Sequence, residues 1–369
     1  MTDRWYLIEN VDEIPSPALV VYPQRVRENL RRIIALAGGV ERLRPHMKTH
    51  KMAEVIRMQL AAGISKFKCA TIAEAEMAAG AGAKDLLLAY PPIGPNAGRL
   101  CRLAKAFPDV KFSTIADDAG AILALSQACS QAGVSLEVLL DVDNGMHRSG
   151  IAPGAEAIEL YRLLADLPGL APGGFHVYDG HVREADLAER TRHADADFVP
   201  VEAMRQKLLA AGLPVPRIVA GGTPTFPIHA KHADRECSPG TCVFWDVSYA
   251  GKFPDLEFLP AALVLTRVIS KPAGNRLCLD LGYKAISADN PDPRVRLLDP
   301  VDAKQVVHSE EHLAVETSRA ADFAVGDVLY GVPYHVCPTV ALHREAVVVE
   351  QGRAVGRWTV AARDRTLTI

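Results

Sequence analysis

The chain has 369 residues, of which 49% are hydrophobic, and its formal net charge is -3. This length exceeds the roughly 250 to 300 residues at which one core stops growing, so we expect a large domain and a smaller one. The charge gives no overall basic field for nucleic acid, and no apolar run approaches the roughly 18 residues of a membrane span. The seven cysteines lack CxxC spacing, as is typical of a reducing compartment. Together these features predict a cytoplasmic protein without signal peptide, nucleic-acid partner or membrane partner.

Short β-rich runs alternate with helical stretches between residues 16 and 225. The predicted strands are ALVVY (18–22), RLRPH (42–46), KFKCA (66–70), DLLLAY (85–90), KFSTI (111–115), LEVLLDV (136–142), GFHVYD (174–179) and RIVAGG (217–222). This alternation indicates an α/β fold with a parallel sheet, and eight units predict a closed (β/α)8 TIM-type barrel over residues 15–255. An open doubly wound sheet would carry a GxGxxG turn after its first strand, and the sequence has none there.

The pattern changes after about residue 255. The β-like segments AALVLTRVIS (261–270), RLCLDLGY (276–283), DVLYGV (327–332) and EAVVVEQGRAVGRWTVAA (345–362) are separated by turn residues and lack long helices between them. They predict a second, all-β domain over residues 256–369, which we expect residues 1–14 to join.

The segment RLRPHMKTHK (42–51) carries four cations and two histidines and no carboxylate. Chemistry in such a barrel sits at the carboxyl ends of the strands, and Lys48 follows the second predicted strand. Neighbouring cations and partial burial lower a lysine's pKa, and a neutral amine is what Schiff-base chemistry requires. The alternative is a solvated basic loop that binds a phosphate or nothing.

Two Gly- and Thr-containing turns near the last predicted strand, AGGTPTF (220–226) and CSPGTC (237–242), are candidate phosphate sites. The exit of the last two strands is the usual phosphate position in these barrels, because backbone N–H groups there approach an anion closely. Many glycine turns bind nothing, so either turn alone would be weak support.

Two further loops carry candidate polar groups. Arg148, in LLDVDNGMHRSG (139–150), would hold an anion or polarise an oxygen if it pointed inward, and would otherwise pair with Asp141 or Asp143. Tyr178 and His181, in HVYDGH (176–181), form a candidate acid/base group at the exit of the seventh predicted strand. Histidines at such a rim can equally be structural hydrogen-bond donors.

The segment VPYHVCPTV (332–340) is predicted to be a strand of the second domain. Residues i and i+2 share a face of a strand, so His335 and Cys337 would point the same way, as imidazole and thiolate ligands of a metal do. Two ligands alone make an incomplete zinc site.

The motifs RPHMKTHK, GMHRSGI, YDGH, AGGTPT, SEEH and HVCPT, spread over nearly the whole chain, resemble those of the fold type III pyridoxal-phosphate (PLP) enzymes, within them the D-threonine aldolase and D-serine dehydratase group. The resemblance implies that Lys48 is the Schiff-base lysine and that Arg148 lies by the cofactor's phenolic oxygen. It implies phosphate contacts from Gly221, Gly222, Thr223, Pro239 and Gly240. Tyr178 matches the active-site tyrosine, and His335 and Cys337 match the ligands of a divalent metal (Mn, Zn, Mg or Co). A homodimer is implied as well.

The resemblance implies a lyase acting on D-β-hydroxy-α-amino acids. Aldolases of this group tend to have an aspartate where this chain has Cys337, and the histidine after Tyr178 is closer here, so the role of His181 is less firmly implied. The YDGH, GMHRSGI and AYPPIGP segments nevertheless favour a D-threonine aldolase-type enzyme over a dehydratase acting on D-serine, D-threonine or 3-hydroxyaspartate. An amino-acid racemase, a non-catalytic PLP-binding protein and a PLP-free barrel hydrolase are remoter alternatives.

Overall fold

The computed structural model describes residues 4–369, so the first three residues of the segment 1–14 lie outside the described part. The chain divides into two compact units. One comprises residues 32–48, 53–240 and 364–369, and the other comprises the chain up to residue 31, residues 49–52 and residues 241–363. These limits differ from the predicted boundaries, because residues 15–31 and 241–255 group with the second unit rather than with the parallel sheet.

The strands of the described chain are β1 (Ala18–Val21), β2 (Lys66–Cys69), β3 (Asp85–Leu88), β4 (Lys111–Ala116), β5 (Leu136–Val142), β6 (Leu170–Val177), β7 (Ile218–Ala220), β8 (Arg235–Cys237), β9 (Ala262–Ala273), β10 (Arg276–Leu279), β11 (Val295–Leu297), β12 (Lys304–His308), β13 (Leu313–Glu316), β14 (Val328–Pro333), β15 (Glu345–Glu350) and β16 (Arg353–Thr359). The α-helices are α1 (Pro23–Ala37), α2 (Ala53–Ala61), α3 (Ile72–Gly80), α4 (Pro95–Ala106), α5 (Ala119–Ala132), α6 (Ala155–Asp166), α7 (Leu187–Ala210), α8 (Phe226–His229), α9 (Val247–Lys252) and α10 (Val336–Leu342).

Strands β2 to β8 form a seven-stranded parallel sheet in sequence order. Helices follow the strands because the sequence supplies clear start and stop signals. Asp118 caps α5 by accepting a hydrogen bond from the Ala121 N–H at 2.8 Å, and Gly133 ends that helix at a φ of +64°. The carboxyl ends of all seven strands therefore meet at one edge, where a parallel α/β sheet places its functional groups.

The regular ladder of this sheet is open and curled, so the predicted closed barrel is not established by strand pairing. Residues 42–46 lie at both of its edges. Leu43 forms a single parallel bridge with Cys237 of β8, and His46 forms one with Lys68 of β2. Proline in this segment lacks an N–H donor, which limits its pairing to isolated bridges.

The prediction that ALVVY is the first strand of the parallel sheet is wrong. Residues 18–21 form β1, which pairs antiparallel with β9 and parallel with β15 in the other sheet. All four residues are buried, and a short run that is apolar on both faces fits the interior of either sheet. The last strand of the parallel sheet is instead β8, which sequence patterns missed because it has three residues and two of them are charged.

The second unit contains a nine-stranded mixed sheet whose main path is β12-β13-β10-β9-β1-β15-β16, with β14 pairing with β9 and β11. The predicted strand over residues 332–340 is wrong in its second half, because β14 ends at Pro333 and helix α10 begins at Val336. Pro338 lies in the first turn of α10, where a missing N–H costs nothing. Across residues 4–369 no helix combines the length and apolarity that crossing a membrane requires.

Candidate active site

Three cations surround the ring of Tyr178, just beyond the carboxyl end of β6. Arg148 Cζ lies 4.7 Å from the ring centroid, Lys68 Nζ lies 5.9 Å from it and Lys48 Nζ lies 6.0 Å from it. The separations of Arg148 and Lys68 are within the usual cation–π range, and that of Lys48 is at its limit. Arg148 and Lys48 bring cationic side chains to this carboxyl-end position, which favours an anionic ligand there.

A cavity of about 580 Å³ lies in the second unit, and a cavity of about 510 Å³, lined by Lys48 and Arg148, lies within the parallel-sheet unit. Its lining residues are His46, Lys48, Ala70, Ala89, Tyr90, Pro91, Ile93, Ile115, Asp141, Arg148, Ser149 and His176. The smaller cavity is the candidate site, because the Lys48 amine, the Arg148 guanidinium and the buried His176 imidazole all line it.

Lys68, on β2, is the functional candidate that sequence patterns missed. Its side chain is almost fully buried, at 2% exposure. Burial, and to a smaller extent repulsion from Lys48, lower the pKa of Lys68 from 10.5 to about 7, against the attraction of Asp179 and Asp141. A buried amine that is largely neutral near physiological pH is unusual, and such groups concentrate at active sites. Its only sequence signal is its position near the end of a predicted strand.

The lowered pKa of Lys68 predicts a specific pH dependence of stability. Between about pH 7 and pH 10.5 the unfolded chain keeps the Lys68 proton and the folded chain releases it, so the free energy of unfolding rises with pH through that window. Lys68→Met removes the titrating group, and its stability gain over wild type should be largest below about pH 7 and shrink towards pH 10.5. Urea unfolding across this range measures the difference, with Lys105→Met, on the exposed side of α4, as control. Parallel curves for wild type and Lys68→Met would contradict the assignment.

The Gly221-Gly222-Thr223 turn follows β7 and packs against Tyr178. Gly221 has a φ of +68°, and an added Cβ would lie 2.5 Å from the His229 ring. A Cβ on Gly222 would lie 3.1 Å from the Tyr178 ring, so space and backbone conformation favour glycine at 221, and the fit is tight at 222. The Thr223 hydroxyl accepts a hydrogen bond from the Gly240 N–H at 3.1 Å, which joins this turn to the Pro239-Gly240 turn.

A buried hydroxyl beside these two turns supports a phosphate site there. Ser238, beside Pro239, is 3% exposed, and within the described chain its hydroxyl has no hydrogen-bond partner. A buried hydroxyl without a partner is costly unless a ligand or water satisfies it. Asp179 holds the segment that follows the Gly221-Gly222-Thr223 turn. Its carboxylate accepts a hydrogen bond from the Thr225 hydroxyl at 2.7 Å and lies 2.6 Å from His229 Nε2.

The basic segment RLRPHMKTHK does not gather around Lys48 as one cluster. Arg44 is fully buried and pairs with Glu236 at 2.6 Å and Asp85 at 2.7 Å. His50 belongs to the second unit, where burial lowers its pKa to about 3. The carboxylates that balance this segment come from β3 and β8, so sequence proximity overstated the number of cations available for chemistry.

The aspartates of the Arg148 loop are paired with groups other than Arg148. Asp141 accepts from the Ser149 hydroxyl at 2.9 Å and lies 2.7 Å from His176 Nδ1. Asp143 organises the loop by accepting hydrogen bonds from the Gly145 and His147 N–H groups. The alternative of an arginine neutralised by one of these aspartates is therefore not what the structure has, since Arg148 lies over Tyr178.

His181 lies three residues after Tyr178, and its Nε2 is 2.7 Å from Asp197 Oδ2 on α7. Its other nitrogen, Nδ1, is buried and without a hydrogen-bond partner in the described chain. A carboxylate on one imidazole nitrogen fixes the ring and its tautomer. The structure therefore supplies His181 with an orienting partner that the sequence did not reveal.

His335 and Cys337 come together in the second unit, although not through a strand. His335 precedes the first turn of α10, and Cys337 lies within that turn. His335 Nδ1 is 2.5 Å from Asp289 Oδ2. Burial alone would lower the pKa of His335, but Cys337 and Asp289 raise it to about 9.

This pair fits a divalent metal by the chemistry of its donors. The carboxylate of Asp289 occupies Nδ1 of His335 and leaves Nε2 for a metal, the arrangement that commonly orients metal-binding histidines. Nitrogen and sulfur donors suit zinc better than magnesium. Cys337 Sγ is also 3.1 Å from the Thr49 hydroxyl. Sequence patterns did not identify Asp289 as a site residue, because its loop has no recognisable motif.

Both parts of the chain are similar to known proteins of related families. Residues 21–247 match the family model "Alanine racemase, N-terminal domain", and residues 261–349 match "Putative serine dehydratase domain". D-threonine aldolase of Arthrobacter sp is 31% identical over 95% of this chain and 93% of the relative. The crystal structure of D-threonine aldolase from Filomicrobium marinum has a TM-score of 0.88 at 27% identity and covers 95% of each chain.

A third similar protein is a dehydratase. The structure of D-threo-3-hydroxyaspartate dehydratase from Delftia sp. HT23, as a cysteine-to-alanine variant in the metal-free form, has a TM-score of 0.79 at 25% identity and covers 94% of this chain and 97% of that chain. The resemblance to fold type III PLP enzymes of the D-threonine aldolase and D-serine dehydratase group, predicted from sequence motifs, is confirmed by these matches.

Proposed function

The chain belongs to the alanine racemase N-terminal-domain family, and from this premise we propose that it is a PLP- and divalent-metal-dependent lyase of the D-threonine aldolase type. The observation that carries the proposal is the convergence of Lys48 and Arg148 on Tyr178, against which the Gly221-Gly222 turn packs. The proposal treats the parallel sheet and residues 42–46 as a (β/α)8-type barrel.

The residues proposed to hold the cofactor all belong to the parallel-sheet unit. They are Lys48, Arg148, Tyr178, Gly221, Gly222, Thr223, Pro239 and Gly240. When bound, PLP supplies a conjugated ring that accepts an electron pair from the substrate's Cα. Lys48 supplies the amine that holds the cofactor, and Arg148, which cannot be neutralised, holds negative charge on a ring oxygen.

His335 and Cys337 are proposed to hold the divalent metal. The metal would act as a Lewis acid on the substrate's β-hydroxyl. Tyr178 and His181 are the proposed acid/base residues, and the carboxylate of Asp197 orients His181 for a proton transfer.

Which proton is removed decides the reaction. Loss of the hydroxyl proton breaks Cα–Cβ and gives glycine and an aldehyde. Loss of the Cα proton instead expels the hydroxyl and gives a 2-oxo acid and ammonia after hydrolysis. Dehydration is the second candidate. Two features favour it: a cysteine, Cys337, as proposed metal ligand, and the similarity to a dehydratase whose structure was determined as a cysteine-to-alanine variant.

Product analysis tests the proposal. The purified protein with PLP and Mn²⁺ or Zn²⁺ should convert D-threonine to glycine and acetaldehyde, with no turnover of L-threonine. Chromatography of the amino acids and an aldehyde trap quantify the products. Formation of 2-oxobutanoate and ammonia would replace the aldolase assignment with dehydration, and unchanged D-threonine would contradict both for this substrate.

The resemblance also carries a proposal on assembly. We propose a homodimer in which the barrel of one subunit and the β domain of the other complete each active site. Sedimentation velocity of the PLP-loaded protein measures the mass, and a monomer with full activity would contradict this assembly.

A further inference from the structure

Three ligand-type side chains converge where the Tyr178 loop contacts helix α7. His181 Nε2 is 2.7 Å from Asp197 Oδ2, and His193 Nε2 is 3.3 Å from the same oxygen. One ligand atom from each of the three residues lies within 4.8 Å of the others. His193 and Asp197 share a face of α7 because they are four residues apart, and His181 reaches them from the loop.

The environment of His193 has the arrangement expected around a metal-binding histidine. Its Nδ1 is 2.6 Å from Glu184 Oε1, while its Nε2 faces Asp197. A carboxylate on the far nitrogen fixes the tautomer that leaves the near nitrogen free to bind a metal.

The cluster is accessible from solvent. Gly145 packs against it, since an added Cβ there would be 2.7 Å from His181 Nε2. The side chains of the three ligand residues are between 20% and 39% exposed, so an ion can reach them from solvent.

We propose that His181, His193 and Asp197 form a second metal site, separate from His335 and Cys337, which binds Zn²⁺. Two imidazole nitrogens and one carboxylate oxygen are a common zinc donor set, and a water completes the tetrahedron. Magnesium and calcium prefer all-oxygen sites, so this donor set selects against them.

The site would fix the loop that carries Tyr178. The ion joins His181, three residues after Tyr178, to helix α7, and therefore holds the tyrosine in place without touching a substrate. It also occupies Nε2 of His181 in place of the hydrogen bond to Asp197, so Nδ1 is the nitrogen left for the proton-transfer role proposed above. The proposal goes beyond the lyase function and does not depend on it.

Zinc content of the PLP-loaded protein tests the site, with the Cys337→Ser variant removing the other metal position. After equilibration with Zn²⁺ and desalting, Cys337→Ser should retain about one ion per chain. Cys337→Ser/His193→Ala should retain close to none. The matched control is Cys337→Ser/His232→Ala, which removes another histidine close to an aspartate of α7 and should keep the ion.

X-ray absorption of zinc-loaded Cys337→Ser gives a second readout that does not depend on a variant of the cluster. Nitrogen and oxygen neighbours without sulfur, together with loss of the ion in Asp197→Asn, support the site. A Cys337→Ser protein that holds no zinc, or zinc that persists in the His193→Ala double variant, overturns the proposal.

Discussion

Lys48→Ala is expected to lose turnover of D-threonine by at least about 1,000-fold, the scale of removing a covalent catalyst, and to lose the covalently held cofactor. The structural reason is that the Lys48 amine lines the cavity with Arg148 and lies 6.0 Å from the Tyr178 ring. Steady-state product assays and the absorbance of the protein-bound cofactor measure both effects.

A second lysine near Tyr178, Lys68, has to be distinguished from Lys48 as the residue that holds the cofactor. Its amine lies 5.9 Å from the same ring and is the one whose pKa is lowered to about 7, so chemistry alone would also allow it to hold the cofactor. Borohydride reduction of the loaded enzyme followed by peptide mass spectrometry identifies the labelled lysine. We expect the label on the peptide that contains Lys48. A label on Lys68, or full turnover by Lys48→Ala, would contradict the assignment, and Lys105→Ala is the surface control.

Cys337→Ala is expected to lower turnover by at least about 100-fold, because a Lewis acid at the β-hydroxyl supplies several kcal/mol of transition-state stabilisation. Cys337 and His335 are the two proposed metal donors. Cys337 lies in the first turn of α10 and His335 directly precedes it, and Asp289 orients the imidazole. Turnover should also fall on treatment of wild type with a chelator and return on addition of Mn²⁺ or Zn²⁺, whereas Cys337→Ala should not recover.

Cys278→Ala provides the matched control, because Cys278 is a half-buried cysteine of the same unit on β10. It should retain the wild-type response to chelation and metal. Full activity of chelator-treated wild type, with its metal content shown to be zero, would mean that the hydroxyl is activated without a metal.

Much of the candidate site could be predicted from sequence because its residues follow strands whose order is local. Lys48, Arg148, Tyr178 and the Gly221-Gly222 turn each come just after a strand or bridging segment of the parallel sheet. Parallel strands bring their carboxyl ends to one edge, so these positions could be assigned together without knowing any long-range contact.

Residues without such a local signal could not be predicted. Asp289 reaches His335 across 46 positions and Glu236 reaches Arg44 across 192, so no periodicity or spacing relates the partners. Helix α10 was mistaken for a strand because VPYHVCPTV is rich in β-branched residues, whereas its conformation is set by the end of β14 and by packing within the unit.

The sequence by itself determined the alternation of strands and helices, because this pattern depends on neighbours a few positions apart. Tertiary structure decided that β1 belongs to the mixed sheet, that Lys68 is a buried amine with a pKa of about 7, and that His181, His193 and Asp197 meet. The physical reason is that burial and charge pairing depend on groups far apart in the chain, which only the folded backbone brings within a few ångströms.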